Sequence, residues 1–416
     1  MRALLLSRYA APLYALHTLS RARQVERKIA DERRYYANVV APTNTAPLAI
    51  RLQDRLSQRG VRLHSPHASP IHILYATRPS DWEPHNIPPE LAKVGTYTTY
   101  YYQERGFDDS SRDWIAQRSR LDADLLEFVR RVHRRKPIQL FLSYLSGWQV
   151  SPDTIRAIGA LGIVTCAFHW DDTLSFRGTF AGGRWSGPAA LAAALDLNLT
   201  SAPSSIAKYE AEGGLAMFWP EAANPDHFRP LDCAFDFDVT FVGACYGYRP
   251  TMIKFLSRRG ISVEAFGSGW PRGPIPETDV ARLYSRSRIN LGFGGIGYST
   301  SALHLKGRDF EVPMCGALYL TSDNPELSLV YDVGQEIEVY RDKFDCLNKI
   351  RELLTSPARA EAIRHAARSR CLREHTWERR LRALLETCGL LVPDERPTVE
   401  PPDRADLLED TKMQQT

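Results

Sequence analysis

From about residue 70, short apolar runs alternate with longer stretches of helical periodicity. IHILYAT (71–77), VGTYTTYYYQ (94–103), IQLFLSYL (138–145), IVTCAFHW (163–170) and LDLNLTSA (195–202) are β-branched, aromatic and apolar, which predicts strands. RDWIAQRSRLDADLLEFVRRVHRR (112–135) and SPDTIRAIGALG (151–162) predict helices between them. Strands interleaved with helices predict a parallel, doubly wound sheet. The pattern breaks at EAANPDHFRPLDCAFDFD (221–238), polar and dotted with proline. It restarts with strands at 238–244, 261–267, 289–295, 317–321 and 337–342, and helices near 249–259, 277–286, 302–315, 343–354, 357–372 and 376–387. Gly316 is expected to cap the 302–315 helix, and Pro313 to place a start or a kink close by.

The fold class expected is therefore α/β, with two Rossmann-like doubly wound domains facing each other across a cleft. Its divisions are a helical extension at 1–69, a first domain at 70–222, a linker at 223–237, a second domain at 238–390 and a disordered Pro- and acid-rich tail at 391–416. The loops at 78–93 and 173–188 give no readable signal.

Composition narrows the function classes. A net charge of +4 on 416 residues is too small for a nucleic-acid protein with a concentrated basic face. The seven cysteines are scattered without a C-x-x-C pair, so neither a disulfide framework nor a zinc ribbon is indicated, and a reducing cytosol is the simplest compartment. Arg8 and Pro12 interrupt the apolar stretch at the amino terminus, which argues against a signal peptide or membrane span. The cation-rich SRARQVERKIADERRYY (20–36) reads either as a solvated helix or as a basic surface helix in peripheral contact with the inner face of a membrane.

In open α/β sheets, ligands bind at the carboxyl ends of the strands. Five segments fall there. FVGACYGYR (241–249) offers Gly243 and Arg249, with Lys254 one turn into the next helix; a close backbone approach and a guanidinium suit a phosphate, although a plain turn with a solvated Arg reads equally well. AFGSGW (265–270) is read as a tight turn. GFGGIGYSTS (292–301) carries Gly294 and Gly295, whose N–H groups could cradle a sugar or a phosphate, or whose role is only mobility. KGRDFEVPMCGALYLT (306–321) sets Lys306 and Arg308 ahead of Glu311. Two cations suit a diphosphate and a carboxylate suits the paired hydroxyls of a ribose, while an internal Arg308–Glu311 salt bridge is the alternative. FHWDD (168–172) offers His169 and Asp171 to hydrogen-bond or deprotonate an acceptor hydroxyl, or only to cap a turn. Asp171 and Asp172 are neighbours on an extended segment and point to opposite faces, and no D-x-D metal motif is present in this stretch, so no metal is expected.

KGRDFEVPMCGALYLT resembles the signature of the group 1 glycosyltransferases, in particular the CgeB-like branch related to spore-maturation proteins. FHWDD, NPDHFRP, FVGACYGYR, FGSGW, GQEIEVYRD and REHTWERRL agree with it in order over roughly residues 130–387. The resemblance implies a GT-B fold with the nucleotide-sugar donor held mainly by the second domain. It makes Glu311 similar to the ribose-binding glutamate, Arg308 and Lys306 to diphosphate contacts, and Arg249 to the basic residue after that domain's first strand. His169 falls near the histidine that related enzymes place by the sugar and acceptor. One position departs: the family's E-x7-E pattern is broken, because Leu303 stands eight residues before Glu311.

The implied chemistry is transfer from a nucleoside-diphosphate sugar to an acceptor hydroxyl, with retention and without a metal or other cofactor. The catalytic residues expected are His169, Asp171 and Arg308; the acceptor, whether glycan, lipid, protein or small molecule, is unspecified. A nucleotide-sugar-binding protein without turnover and a nucleotide-sugar epimerase are the alternatives.

Overall fold

The computed structural model describes residues 11–39, 46–61, 70–79 and 83–392. The first ten residues and the expected tail from 393 onward lie outside the described residues. In chain order the first part holds α1 (Ala11–Ala37), α2 (Leu48–Gln58), β1 (His72–Thr77), α3 (Glu83–Val94), β2 (Thr96–Tyr101), α4 (Trp114–Arg135), β3 (Leu140–Ser143), α5 (Pro152–Gly159), β4 (Val164–His169), α6 (Asp172–Ser175), a β5–β6 hairpin (Phe180–Ala181, Arg184–Trp185), β7 (Leu197–Thr200), α7 (Ile206–Ala211) and β8 (Ala216–Phe218). After an irregular stretch come β9 (Phe237–Val242), α8 (Arg249–Ser257), β10 (Val263–Phe266), α9 (Glu277–Ser285), β11 (Ser287–Leu291), α10 (Arg308–Met314), β12 (Tyr319–Ser322), β13 (Glu338–Tyr340), α11 (Lys343–Thr355), α12 (Pro357–Glu374) and α13 (Trp377–Thr387).

Two sheets result. The first is ordered β2-β1-β3-β4-β7-β8 and the second β10-β9-β11-β12-β13, with every pairing parallel. Every residue of β1, β3, β4 and β7 is buried, as strands covered by helices on both faces must be. By packing the chain divides into two compact units, neither contiguous in sequence. One, containing the second sheet, comprises Met1–Arg34, Asp81–Ile87 and Glu221–Arg379; the other, containing the first, comprises Tyr35–Ser80, Pro88–Pro220 and Arg380–Thr416.

Two elements differ from the sequence expectation, for related reasons. The stretch at 78–93 is not all loop: α3 runs through Pro88 and Pro89. Proline cannot donate to the carbonyl four residues back, and the one Pro89 leaves, on His85, accepts from the Asn224 amide at 2.7 Å instead. The helix expected over 302–315 begins only at Arg308, because the backbone of 302–304 pairs with the glycine loop: Ile296 N–H donates to Ala302 O (2.9 Å) and His304 N–H to Gly294 O (3.1 Å). Pro313 sits inside this short helix, and the Asp309 carbonyl it leaves free accepts from the Tyr331 hydroxyl at 2.7 Å. Gly316 follows with φ +63°, the left-handed turn its position predicted.

The segment 221–236 has no regular structure but is fastened down. Ala222, Ala223, Asn224 and Phe228 are buried, and Ala223 bridges Thr376. No helix among the described residues is long and apolar enough to cross a membrane.

Candidate active site

The carboxyl ends of β9, β10, β11 and β12 converge in the second-sheet unit. Gly243, just past β9, accepts the Trp270 indole N–H at 2.8 Å, and Gly267, just past β10, has φ +133°. A Cβ at Gly267 would lie 2.3 Å from the Gly243 carbonyl oxygen, so the two strand ends approach as only glycine permits. Phe241, the penultimate residue of β9, lies between two cations. The Arg249 guanidinium is 5.4 Å from its ring centroid and that of Arg308 is 5.7 Å. Arg308 Nη1 also reaches the Gly243 backbone, 3.5 Å from where a Cβ would stand.

The electrostatics of this pair are unusual. Arg249 is buried and lies 4.2 Å from the Tyr246 ring, with Nη1 donating to Ala244 O at 3.0 Å. Burial holds its pKa below the usual arginine value, and the neighbouring Arg308 charge lowers it further. For Arg308, burial opposes ionisation, but Tyr319, Tyr284, Glu311 and Asp309 outweigh it and hold the guanidinium firmly charged. Its Nε is buried without a hydrogen-bond partner. Among the described residues neither arginine enters a salt bridge, and the alternative of an internal Arg308–Glu311 bridge is not realised. Two adjacent, desolvated cations that close no salt bridge have the chemistry to take an anion.

Glu311, one turn along α10 from Arg308, sits in a different field. Burial pushes its carboxyl up to about 8, Glu277 and Glu221 add to this, and Arg308 opposes it. Glu277 in turn lies 3.9 Å from His227 Nε2, and His227 stacks on His85 at 4.8 Å. Gly307 leaves room here, since a Cβ on it would sit 3.0 Å from Glu311 Oε1 and 3.8 Å from Glu221 Oε1. Glu221, Glu277 and His227 were not predicted. Each lies tens of residues from Glu311 in sequence, and nothing local marks them.

Other expected donor residues are placed differently. The Lys306 backbone N–H donates to Asp309 Oδ2 at 2.7 Å, closing the turn before α10, while its ammonium makes no hydrogen bond or ion pair among the described residues. Lys254 lies in the last turn of α8, whereas Arg249 opens that helix, and no contact among the described residues joins it to the cluster. Gly294 does not cradle a ligand with its N–H, which donates to Ser322 Oγ at 3.2 Å. Gly295 is required by packing, since a Cβ there would meet Ser299 O at 2.3 Å. Ser322 Oγ also donates to the Tyr340 hydroxyl (3.2 Å), which donates to Gly292 O (2.7 Å), so buried hydroxyls underpin this loop.

In the first-sheet unit, His169 ends β4 at the sheet's carboxyl edge. Its ring is buried 6.0 Å from that of Tyr144, with Nε2 unpartnered, and burial lowers its pKa to about 3. It stays neutral at every physiological pH. A base this weak accepts a hydrogen bond but is poorly matched to removing a hydroxyl proton. The two aspartates part where β4 has already ended, Asp171 just before α6 and Asp172 as its first residue. Asp171 is exposed, and Asp172 is buried where Ser205 Oγ and the Tyr209 hydroxyl each donate to it at 3.1 Å.

Comparisons with known proteins agree with this architecture. A family model described as glycosyl transferase-like matches residues 249–386. No curated protein matches the chain by sequence. Among solved structures, sucrose-phosphate synthase from Thermosynechococcus elongatus superposes with a TM-score of 0.51 at 13% identity, over 76% of this chain and 97% of that one. Anabaena HepE in complex with UDP-glucose gives 0.51 at 9% identity, over 77% and 100%. An alpha-glucosyltransferase in complex with UDP-glucose and abasic DNA gives 0.50 at 13% identity, over 77% and 100%. The chain thus has the GT-B fold, with a glycosyltransferase-like second half.

Proposed function

We propose that this protein transfers a sugar from a nucleoside-diphosphate sugar to an acceptor hydroxyl, with the donor held by the second-sheet unit. The observation that carries the reading is the Arg249–Arg308 pair beside the Phe241 ring, two buried cations outside any salt bridge among the described residues. Charge grows on the diphosphate as the glycosidic bond breaks, and preplaced guanidinium groups stabilise it without reorganisation. They supply positive charge that a metal would supply elsewhere, which is the basis for the metal-independent reading. Glu311 is assigned to the ribose hydroxyls. Neutral His169, with its free Nε2, is assigned to accept a hydrogen bond from the acceptor hydroxyl. Retention of configuration rests on resemblance to the group 1 enzymes of the CgeB-like branch. The structural relatives bound to UDP-glucose support a uridine nucleotide as the first donor to try.

We place the protein in the cytosol on its scattered cysteines. Peripheral membrane contact is assigned to the exposed face of α1, where Leu13 and Leu16 share an outer surface with Arg23 and Arg27.

A screen of melting temperature with UDP-, GDP- and dTDP-sugars tests the donor site, because a ligand that binds only the folded state raises the midpoint. Stabilisation by one nucleotide class is expected; no shift with any of them contradicts the reading. A binding protein without turnover is the second reading. It is favoured by Leu303, which stands where the E-x7-E pattern has a carboxylate and is paired by backbone to Gly295. Release of nucleoside diphosphate from the stabilising donor distinguishes the two.

A further inference from the structure

Helix α1 lies outside the stretch that matches the glycosyltransferase-like model, yet side chains along it are fastened to the loops after β9 and β11 in the unit of the proposed donor site. The Tyr14 hydroxyl donates to Gly247 O at 3.1 Å, on the loop after β9. The Tyr298 ring, on the loop after β11, meets His17 edge-on at 5.8 Å and has the Arg21 guanidinium 5.7 Å from its centroid. Farther along, the half-buried Glu26 carboxylate accepts from Ser299 Oγ at 2.7 Å and from Ser301 Oγ at 2.8 Å. These contacts span more than 230 residues of sequence, so the resemblance confined to the second half does not report them.

We propose that α1 is a brace for the donor site and that Glu26 is a positioning residue for loop 292–301. The inference rests on the nucleotide-sugar reading of that site. A loop with this much glycine loses much conformational freedom on ordering and needs partners from outside itself. Glu26 supplies them through a relay. The Ser299 hydroxyl donates a hydrogen bond to the carboxylate, which leaves its oxygen lone pairs to accept from the backbone N–H groups of Ser301 (3.1 Å) and Ala302 (3.0 Å). The Ala302 carbonyl then accepts from Ile296 N–H at 2.9 Å, and His304 N–H holds the Gly294 carbonyl at 3.1 Å. The order imposed at Glu26 thereby reaches Gly294 and the hydroxyls beneath it. Donation from the two serines holds the Glu26 pKa below its ordinary range, so the acceptor is a full carboxylate at neutral pH.

The test uses the full-length protein with Glu26→Ala, Glu26→Gln and, from the other side, Ser299→Ala with Ser301→Ala. Hydrogen–deuterium exchange of the ligand-free protein reads the brace without reference to any nucleotide. Amides of 292–303 are expected to exchange about tenfold faster in Glu26→Ala and in the double serine variant, with no added effect when the two are combined. Glu26→Gln, whose amide oxygen still accepts, is expected to recover most of the protection. Calorimetry with UDP, and kinetics with UDP-glucose, then read the positioning: Glu26→Ala raises Kd and KM about tenfold with kcat within about twofold, and Glu26→Gln restores them. Unchanged exchange in Glu26→Ala overturns the brace. Faster exchange with unaltered UDP affinity overturns the positioning role, as does a Glu26→Gln variant no better than Ala. If the wild-type protein binds no nucleotide while exchange responds as expected, the brace stands and the donor-site reading is what fails.

Discussion

The two sheets end in the same geometry but in opposite electrostatics. At the carboxyl edge of the second sheet, Arg249, Arg308 and Glu311 are desolvated, mutually perturbed and without salt-bridge partners. At the same edge of the first sheet, His169 is held neutral, and the buried Asp172 carboxylate accepts from two hydroxyls. Burying unpaired charge is costly and persists where a charged ligand completes the site; a neutral, orphaned acceptor suits an uncharged hydroxyl. The contrast is what the proposed division into a donor end and an acceptor end rests on.

Substitutions can break it in order of expected size. Arg308→Ala removes one of two phosphate cations and should weaken UDP binding about a hundredfold by calorimetry, the scale of one or two charge-assisted hydrogen bonds. Asp172→Ala leaves the Tyr209 and Ser205 hydroxyls buried without an acceptor. It should cost about 2–3 kcal/mol in urea denaturation while leaving UDP affinity unchanged. Glu311→Ala should weaken UDP binding about tenfold, because it removes the group assigned to the ribose hydroxyls. His169→Gln should leave UDP affinity unaltered and lower turnover by about tenfold, the low end for a single positioned group.

Glu311 also predicts a pH dependence. Its ordinary pKa of 4.5 is raised to about 8 in the folded protein, so between these values the native state holds a proton the unfolded chain has lost. Stability therefore falls as pH rises towards about 8. Asp309, raised to about 6, acts with the same sign over a lower window, so the decline between pH 7 and 8 belongs to Glu311. Melting temperatures should fall across that interval in the wild type and stay flatter in Glu311→Gln.

Much of this was legible in the sequence because it is local. β-Branched and aromatic runs marked the buried central strands, Gly316 marked a helix end, and the ends of strands marked where Arg249, Arg308, Glu311 and His169 fall. What stayed hidden depends on distant partners. The stretch at 78–93 gave no readable signal, yet α3 runs through Pro88 and Pro89, and Asn224 takes the carbonyl that Pro89 leaves on His85. The i, i+3 spacing of Arg308 and Glu311 fits a salt bridge as well as a ligand site, and Phe241 and Arg249 decide between them in space. Glu221 and Glu277, which add to the effect of burial on Glu311, carry no local signature, and neither does the docking of α1 on the loops after β9 and β11.

The central claim, that the Arg249–Arg308 pair grips a diphosphate, is tested most directly by comparing nucleoside diphosphates with their monophosphates. Calorimetry with the uridine, guanosine and thymidine series should show the wild-type protein preferring one diphosphate over its monophosphate by at least about tenfold, a preference that Arg308→Ala abolishes. An equal preference in wild type and variant, or no diphosphate bound at all, contradicts it.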